Sequence, residues 1–392
     1  MLTYDEAIAR VLALVPQAPV RELPVASAGG LVLAQSVDAD ADMPAFDRSA
    51  MDGFAVRAAD CTSPGARLRR LGEERPGGEP LARPVGAGEC AAIYTGAPIP
   101  AGADAVVMVE RTKTDGEIVT LTVAVQSGEN VRFRAEDVRR GERLLEPGAL
   151  LRPQEIAVCA SFGAPRVRVH PRPRVAVLST GDELVPPDAE PGPGMIRDSN
   201  GVMLACQVER AGGIVASVDV LRDERETIRR AIDAAAARAD VLVLTGGVSM
   251  GAYDFVAPVL GELGFAGGFH KVKVKPGKPI WFGRRGDVLA FGLPGNPVSS
   301  FVMFELMVRP SLEKLLGRMP GPRFETAVVA GGPAKGGDRE QFVPARVTDG
   351  KLTFIPWTSS ADFVELARAN ALARIAIDCV PAPGSPISYL PI

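Results

Sequence analysis

The sequence predicts a multidomain protein that combines a doubly wound parallel α/β unit with several small β domains. Three observations support this fold class. The chain has 392 residues, which is too long for a single hydrophobic core. Between residues 174 and 316, short apolar runs alternate with segments of helical spacing. The flanking regions contain short β runs separated by turns, in a chain with 42 glycines and 34 prolines.

The α/β unit begins with an apolar run, RVAVLST (174–180), that ends at Gly181. Strands without alternating polar residues are typical of a parallel sheet covered by helices on both faces. We expect Ser199 or Asn200 to cap the first helix that follows. The other predicted strands are IVASVDVLRD (214–223), DVLVLTGG (240–247), KVKV (271–274), PIWFG (279–283) and DVLAFGLPG (287–295), and the predicted helices are 199–213, 224–239, 256–263 and 297–316.

The remaining segments predict a helix at the start of the chain and β structure elsewhere. Residues 4–15 have the spacing of an amphipathic helix, and a short helix is expected near 153–162. Residues 43–137 show strands and turns without a helix. We divide the chain into an α/β domain (1–20 and 170–320), a linking or dimerisation domain (21–42 and 138–169), a small β domain (43–137) and a C-terminal β domain (321–392).

Composition and charge exclude several classes of protein. The net charge is −3, from 44 basic and 47 acidic residues, which argues against general nucleic-acid binding. No run approaches the roughly 20 apolar residues that a membrane span needs. The five cysteines form no CxxC pair, and we interpret them as reduced thiols. The first apolar run follows an acidic pair, unlike a signal peptide. We therefore expect a cytoplasmic protein.

Loops that are rich in glycine or acidic residues follow four of the predicted strands. Ligands of open α/β sheets bind beyond the carboxyl ends of the strands. Glycines let backbone N–H groups approach a phosphate, and carboxylates beside a phosphate usually bind Mg²⁺. One such loop alone is better explained by a tight turn or a helix cap, but four at one edge favour a ligand site. They are Gly181-Asp182-Glu183, Arg222-Asp223, residues 246–254 (with Gly246, Gly247, Ser249, Gly251 and Asp254) and Leu293-Pro294-Gly295-Asn296-Pro297, where Asn296 and Pro297 also suit a helix start.

A basic run, HKVKVKPGKP, lies between the third and the fourth of these loops in the sequence. If it forms a strand, Lys271, Lys273 and Lys275 share one face. A solvated strand face would explain a basic run that stood alone. Because this run accompanies the glycine-rich and acidic loops, binding of a small anion or a phosphate is the more specific interpretation. The chain has no P-loop and no GxGxxG motif. Its two histidines, His170 and His270, support neither a zinc cluster nor a serine triad.

Eight stretches together resemble the MoeA family of molybdopterin molybdenumtransferases, which are similar to the E domain of gephyrin. The combination of SAMDG, TGGVSMGAYD, KPGKP and LPGNP is highly specific, and the resemblance covers nearly the full chain. The stretches are FDRSAMDGFAV (46–56), IYTGAPIPAGADAVV (93–107), AEDV (135–138), VLSTGDEL (177–184), DSNGVML (198–204), LTGGVSMGAYDF (244–255), KVKPGKPIWFG (273–283) and GLPGNPVSSF (292–301).

The resemblance implies an elongated four-domain subunit that forms a homodimer. Its site would lie between the α/β domain of one subunit and the small β domain of the other. Such enzymes use molybdate and adenylylated molybdopterin, with Mg²⁺, to give molybdenum cofactor and AMP. A MogA-type molybdopterin adenylyltransferase would act upstream, and molybdoenzymes or their chaperones would receive the product.

The resemblance also implies roles for individual residues. Asp223 and Asp254 correspond to Mg²⁺ ligands, and Lys275, Lys278, Arg346 and Ser360 to a molybdate pocket. Catalytic roles are implied for Asp52, Thr95, Asp137, Glu183, Lys271 and Lys275, with Lys271 on the phosphate side. Two positions depart from the family pattern, because Ala135 and Ser359 stand where glycine is more common.

The stretch PAFDRSAMDGFAVR (44–57) combines acidic and apolar residues. We expect Phe46, Met51, Phe54 and Val56 to anchor it in the core of the small β domain, and the Asp52-Gly53 pair to bend the chain into the next strand. Asp52 would then be held out over the site of a dimer partner. Asp47 and Arg48 either fix the turn or contact substrate.

Two other functions stay open from the sequence alone. A related nucleotide-pyrophosphate hydrolase would use the same α/β domain, but the motifs around Asp52 and Thr95 argue against it. A non-catalytic pterin-binding scaffold is the second, although the carboxylate set is intact.

Overall fold

The structure, a computed structural model, describes residues 1–248, 254–321, 323–332 and 336–392. Most of the helices in these residues belong to the α/β unit, and a π-helical turn, Phe304–Val308, joins two of them. The α-helices are α1 (Tyr4–Leu14), α2 (Pro153–Ser161), α3 (Ser199–Arg210), α4 (Arg225–Ala236), α5 (Val256–Glu262), α6 (Pro297–Met303), α7 (Arg309–Leu315) and α8 (Phe363–Leu366).

The central sheet has six strands, of which four are parallel as predicted. Its order is Ile214–Leu221, Arg174–Thr180, Val241–Thr245, Val288–Leu293, Trp281–Arg285 and Ala266–His270. The last two strands run antiparallel to their neighbours. The two-residue link Gly286-Asp287 explains this difference, because a parallel pair needs a crossover of a dozen or more residues.

Both faces of this sheet are covered, which confirms the doubly wound arrangement. Val175, Val177 and other alternate strand residues face a core shared with α1, α3, α6 and α7. The intervening residues, such as Ala176 and Leu178, face a second core built with α4 and α5. The alternation follows from the period of two in a strand.

At the start of α3 the cap is Asp198, which accepts a hydrogen bond from the Gly201 N–H at 2.9 Å, so the predicted cap at Ser199 or Asn200 is wrong.

The first helix and the C-terminal sheet pack on the α/β unit. The predicted amphipathic helix is confirmed as α1, which begins with a capping box of Thr3 and Glu6. The Tyr4 ring packs edge-on against Phe342 at 5.5 Å and Phe324 at 6.3 Å. The C-terminal sheet has the order Val274–Lys275, Glu340–Thr348, Lys351–Phe354, Glu325–Gly331, Pro386–Pro391 and Ala371–Ile375. This packing fixes the C-terminal sheet beside the strand ends of the α/β unit.

Two further β units have cores of their own. In residues 43–137 the helical turns are single 3-10 turns, Ala58–Asp60 and Val109–Arg111, in line with the prediction of no helix there. The six-stranded sheet of this region has the order Ala105–Met108, Gly53–Val56, Glu89–Ile93, Arg67–Glu74, Ile118–Leu121 and Thr112–Asp115, and Arg48–Ser49 pairs with Val131–Arg132. Around α2, a three-stranded sheet has the order Arg21–Pro24, Arg166–His170 and Val32–Leu33, and Val37–Asp38 pairs with Arg143–Leu145.

The stretch 44–57 is only partly anchored in the β core. Phe54 and Val56 are buried, but Phe46 and Met51 are 48% and 43% exposed, so the prediction that all four are core residues is wrong. Phe46 and Met51 precede the strand Gly53–Val56, whose four residues are all buried. Gly53 is needed for close packing, because a Cβ there would lie 1.9 Å from the Val107 carbonyl oxygen.

The cysteines and the helix lengths are two further features of the fold. All five cysteines are free thiols, and Cys61, Cys90 and Cys159 are buried. In the described parts of the chain, we find no helix with the length and apolarity to cross a membrane.

Candidate functional site

A cavity of about 920 Å³ lies at the carboxyl ends of the parallel strands. Residues from all four predicted loops line it, which agrees with the expectation that these loops meet at one edge. The lining includes Gly181, Glu183, Asp223, Gly246, Gly247, Asp254, Pro294, Gly295 and Asn296. We call this the acidic cavity, because Glu183, Asp223 and Asp254 supply carboxylates to its wall.

The charge on this wall favours a cation. Burial, together with the nearby carboxylates of Asp182 and Glu183, raises the pKa of Asp223 above its ordinary value. Among the residues the structure describes, no three Asp, Glu, His or Cys side chains converge as metal ligands. Mg²⁺ is commonly held by one or two carboxylates plus the phosphates of a substrate. Asp223 and Asp254 fit that kind of site, since both line the cavity.

The floor of the acidic cavity is close-packed backbone. Gly246 has φ +89°, and a Cβ at this position would lie 2.5 Å from the Thr180 carbonyl oxygen. Glycine is therefore required both for the conformation and for the space. Two buried oxygen atoms in the wall, Ser179 Oγ and Asn200 Oδ1, have no hydrogen-bond partner in the described residues.

A second cavity of about 600 Å³ adjoins the first and lies between the α/β unit and the C-terminal domain. The two cavities share Pro279, Pro294 and Asn296 in their walls. We call this second one the cationic cavity, because its cations are Lys275, Lys278 and Arg339.

The acidic residues of the cationic cavity are already hydrogen-bonded. Asp362 accepts hydrogen bonds from the backbone N–H and the hydroxyl of Thr358, both at 3.1 Å. Glu365 accepts a hydrogen bond from Arg368 at 2.8 Å. The two lysines are therefore left to attract an anion, and Arg339, which also pairs with Asp338 at 3.5 Å, adds a third positive charge.

Comparisons with known proteins decide the family. Residues 2–163 match the model of the MoeA N-terminal region (domain I and II), and residues 176–314 match a probable molybdopterin binding domain. Over 373 residues, the chain is 36% identical to a molybdopterin molybdenumtransferase 2 of Mycobacterium tuberculosis, covering 91% of each protein. The chain belongs to the MoeA family of molybdopterin molybdenumtransferases.

Two more relatives agree with this family assignment. A molybdopterin molybdenumtransferase of Bacillus subtilis is 35% identical over 383 residues, which cover 94% of this chain and 89% of the relative. The crystal structure of a molybdopterin biosynthesis MoeA protein from Pyrococcus horikosii matches with a TM-score of 0.86 at 30% identity, covering 100% of this chain and 99% of that one.

The MoeA resemblance implied a set of site residues, and the structure brings together those of the α/β unit. Glu183, Asp223 and Asp254 line the acidic cavity with Gly246, Gly247 and Gly295. Lys275, Lys278 and Ser360 line the cationic cavity, and Pro294 and Asn296 line both. Ser249 and Gly251 lie outside the described residues.

The basic run does not form the predicted strand. Lys271 has φ +77°, and its N–H bonds the Ile280 carbonyl at 2.8 Å. The Val272 N–H bonds the Lys278 carbonyl at 3.1 Å, so the run folds back on itself before residue 280. Only Val274–Lys275 pairs as a strand, with Glu340 and Gln341. The predicted shared face of Lys271, Lys273 and Lys275 is therefore wrong, and Lys271 is absent from the walls of both cavities.

The resemblance implied that Arg346 belongs to the molybdate pocket, but this residue does not line the cationic cavity. Its guanidinium donates to the Arg368 carbonyl oxygen at 2.9 Å and lines a separate cavity with Lys351 and Arg368. Arg339, which the sequence reasoning missed, lines the cationic cavity instead. The local sequence GGDREQF gives no sign of this, because the pairing of Glu340 with Val274 brings Arg339 there.

The implied residues of the small β domain lie outside both cavities within the single chain. Asp52 Oδ1 accepts hydrogen bonds from the Thr95 N–H at 2.7 Å and the Thr95 hydroxyl at 2.8 Å. The backbone bond, followed by the hydroxyl bond, holds the pKa of Asp52 below its usual value. Asp137 forms an ion pair with Arg132.

Asp47 and Arg48, whose roles the sequence left open, both make contacts within the small β domain. Asp47 accepts a hydrogen bond from the Arg134 N–H at 2.7 Å, and Arg48 pairs in a short strand with Arg132. This favours the earlier alternative that they fix the turn.

Proposed function

We propose that this chain is a molybdenum insertase of molybdenum cofactor biosynthesis. It uses molybdate and adenylylated molybdopterin, with Mg²⁺, to give molybdenum cofactor and AMP. One observation carries the proposal: a cation-lined cavity and an acidic, glycine-lined cavity share the loop 294–296. A dianion such as molybdate fits the first, and a phosphate-linked pterin nucleotide fits the second. The names of the relatives support the same activity.

In the acidic cavity, the residues have complementary tasks. Asp223 and Asp254 hold Mg²⁺ together with the phosphates of the substrate. When bound, Mg²⁺ neutralises charge on the phosphate oxygens and so favours cleavage of the anhydride. Glu183 keeps a second carboxylate beside Asp223, which strengthens the attraction for the cation.

In the cationic cavity, Lys275, Lys278 and Arg339 attract molybdate, and Ser360 offers a hydroxyl. An ammonium acts as a point charge, whereas a guanidinium binds two oxygens in a fixed plane. The shared loop keeps the anion next to the pterin nucleotide. Molybdate is thereby held close to the group that receives molybdenum.

We further propose a homodimer in which the small β domain of one subunit completes the site of the other. Asp52, Thr95 and Asp137 line neither cavity of their own chain, and the resemblance implies that such residues act across the dimer. Lys271 lines neither cavity of its own chain, and its phosphate-side role is assigned by the resemblance alone. A MogA-type adenylyltransferase supplies the substrate in the cytoplasm, and molybdoenzymes or their chaperones take the product.

The first experiment measures the reaction itself. Purified protein is incubated with adenylylated molybdopterin, Mg²⁺ and molybdate, and AMP and mature cofactor are quantified. We expect AMP release that depends on molybdate. Release that ignores molybdate and extends to simple nucleotides would indicate a pyrophosphate hydrolase instead. Binding without turnover would indicate a scaffold.

The metal assignment is tested by Asp254→Ala. We expect this variant to fold normally, because Asp254 lines a cavity, and to lose Mg²⁺-dependent AMP release. Glu262→Ala is a suitable control, since Glu262 lies on the exposed side of α5. Near-normal AMP release by Asp254→Ala would contradict the proposed role.

The shared site is tested by complementation. Asp52→Ala and Asp254→Ala are each expected to be inactive, but their co-expression gives heterodimers with one intact site. Random pairing predicts about a quarter of the wild-type activity. No recovery in confirmed heterodimers would place Asp52 and Asp254 in the same subunit's site, or outside it.

A further inference from the structure

The loop that both cavities share contains a residue with little steric restraint. A Cβ at Gly295 would meet only the Gly246 Cα, at 3.7 Å. A glycine peptide of this kind has many accessible conformations. The orientation of the Gly295 carbonyl must therefore be fixed by hydrogen bonds, and α3 supplies one.

Asn200, in the first turn of α3, holds this carbonyl. Its Nδ2 group donates to the Gly295 carbonyl oxygen at 2.6 Å and to Thr245 Oγ1 at 3.1 Å. The buried hydroxyls of Thr245 and Ser300 both donate hydrogen bonds to the preceding carbonyl, that of Pro294, and the Thr245 bond is 3.0 Å long. The two consecutive carbonyls of the loop are thus held by side chains of three different elements.

The next residue carries this arrangement into the C-terminal domain. Asn296 occupies the cap position of α6, but its side chain does not cap that helix. Its Nδ2 group instead donates to Ser360 Oγ at 2.7 Å. The Ser360 carbonyl in turn accepts a hydrogen bond from the Val298 N–H at 3.0 Å. A hydrogen-bonded path therefore runs from Asn200 through the loop to the serine of the cationic cavity.

We infer that Asn200 is a positioning residue for molybdate binding, acting through Gly295 and Asn296 on Ser360. The inference rests on the proposed function and deepens it. Asn200 lines the acidic cavity, whereas its effect is expected in the neighbouring cationic cavity. The Nδ2 group of Asn200 makes both contacts, whereas its Oδ1 atom has no hydrogen-bond partner in the described residues.

Asn200→Asp tests the donor alone. The variant keeps the shape of the side chain, but it replaces the Nδ2 donor by a carboxylate oxygen that lies against the Gly295 carbonyl oxygen. A negative charge in the first turn of a helix is favourable, so α3 is expected to form. We expect the KM for molybdate to rise about tenfold, because a tenfold change corresponds to the free energy of about one hydrogen bond. The KM for the pterin nucleotide should change less.

Two further variants separate positioning from general damage. Asn296→Ala breaks the same path one step later, so we expect a similar rise in the KM for molybdate. The double variant should be no worse than the more severe single one, because both act through one path. Glu209→Gln, on the exposed side of α3, is the matched control and should behave as wild type.

Calorimetric titration with molybdate gives a readout without turnover. The expected result is a Kd about tenfold higher for Asn200→Asp than for wild type. Equal affinity in the two proteins, or fully additive effects of the Asn200 and Asn296 variants, would overturn the inference. A wild-type protein that binds molybdate but releases no AMP would overturn the proposed function instead, and the titration would still decide the role of Asn200.

Discussion

The buried carboxylate of Glu305 offers the sharpest test of how the site is held in place. Glu305 lies in the π-helical turn between α6 and α7 and is 2% exposed. It accepts hydrogen bonds from Gln207 at 2.7 Å, Arg210 at 2.6 Å and Arg309 at 3.0 Å. Gln207 and Arg210 belong to α3, so this carboxylate ties the helix that carries Asn200 to the helix that follows the shared loop.

Glu305→Gln keeps the volume of the side chain but removes its charge. Breaking a buried ion pair costs about 3–5 kcal/mol, and we expect the lower end, about 3 kcal/mol. Arg309 keeps a second partner, Glu313, at 2.6 Å, and half of the Arg210 side chain remains exposed to solvent. With a urea slope of about 2 kcal/mol per molar, the unfolding midpoint should fall by about 1.5 M.

The assay is urea unfolding followed by tryptophan fluorescence, for which Trp281 in the central sheet is a probe. Glu262→Gln is the matched control, because its partner Arg225 and Glu262 itself are 51% and 45% exposed. An exposed pair contributes about 0–1 kcal/mol, so its midpoint should barely change. If both variants shift equally, or Glu305→Gln shifts by less than the control, the structural role assigned to Glu305 is wrong.

Three other predictions follow from single contacts. Arg339→Ala should weaken molybdate binding about tenfold in calorimetry, whereas Arg346→Ala should leave it unchanged. If only Arg346→Ala weakens binding, Arg346 is the molybdate ligand, as the resemblance implied. Thr95→Val should raise the pKa of Asp52 in an NMR titration while leaving it below the ordinary value, because the stronger backbone bond stays. The lowered pKa means that Asp52 stabilises the fold above its unfolded-state pKa of about 4, and that this contribution is lost as the pH falls through the lower folded-state value. Gly53→Ala should unfold the small β domain, detected as lost hydrogen-exchange protection, since its Cβ would lie 1.9 Å from the Val107 oxygen.

The acidic cavity could be predicted from the sequence because its geometry follows from local rules. Apolar strands alternating with helices imply a parallel sheet, and all carboxyl ends of a parallel sheet meet at one edge. Asp223 and Gly246 could therefore be placed together without any knowledge of the fold's details. Asn200 was visible only as a helix cap, since its contact with Gly295 depends on how closely α3 approaches the loop.

The cationic cavity could not be predicted in the same way, because it depends on distant pairing. Lys275 reaches the cavity where its strand joins Glu340 and Gln341 of the C-terminal sheet. That pairing brings Arg339 to the site and leaves Arg346 further along the same strand, facing another cavity. Neither charge nor spacing in the sequence distinguishes these two arginines. Only the tertiary structure shows which of them lines the cationic cavity.

The small β domain shows a third kind of limit, which concerns residues that lie outside both cavities of the single chain. Phe46 and Met51 are apolar, as core residues are, but both are exposed in the segment that precedes Asp52. Asp52 itself is held by two hydrogen bonds from Thr95 and remains exposed. An oriented carboxylate beside exposed apolar side chains is typical of a surface that contacts another protein surface. The proposed dimer accounts for both features, because the partner's cavities would lie against this turn.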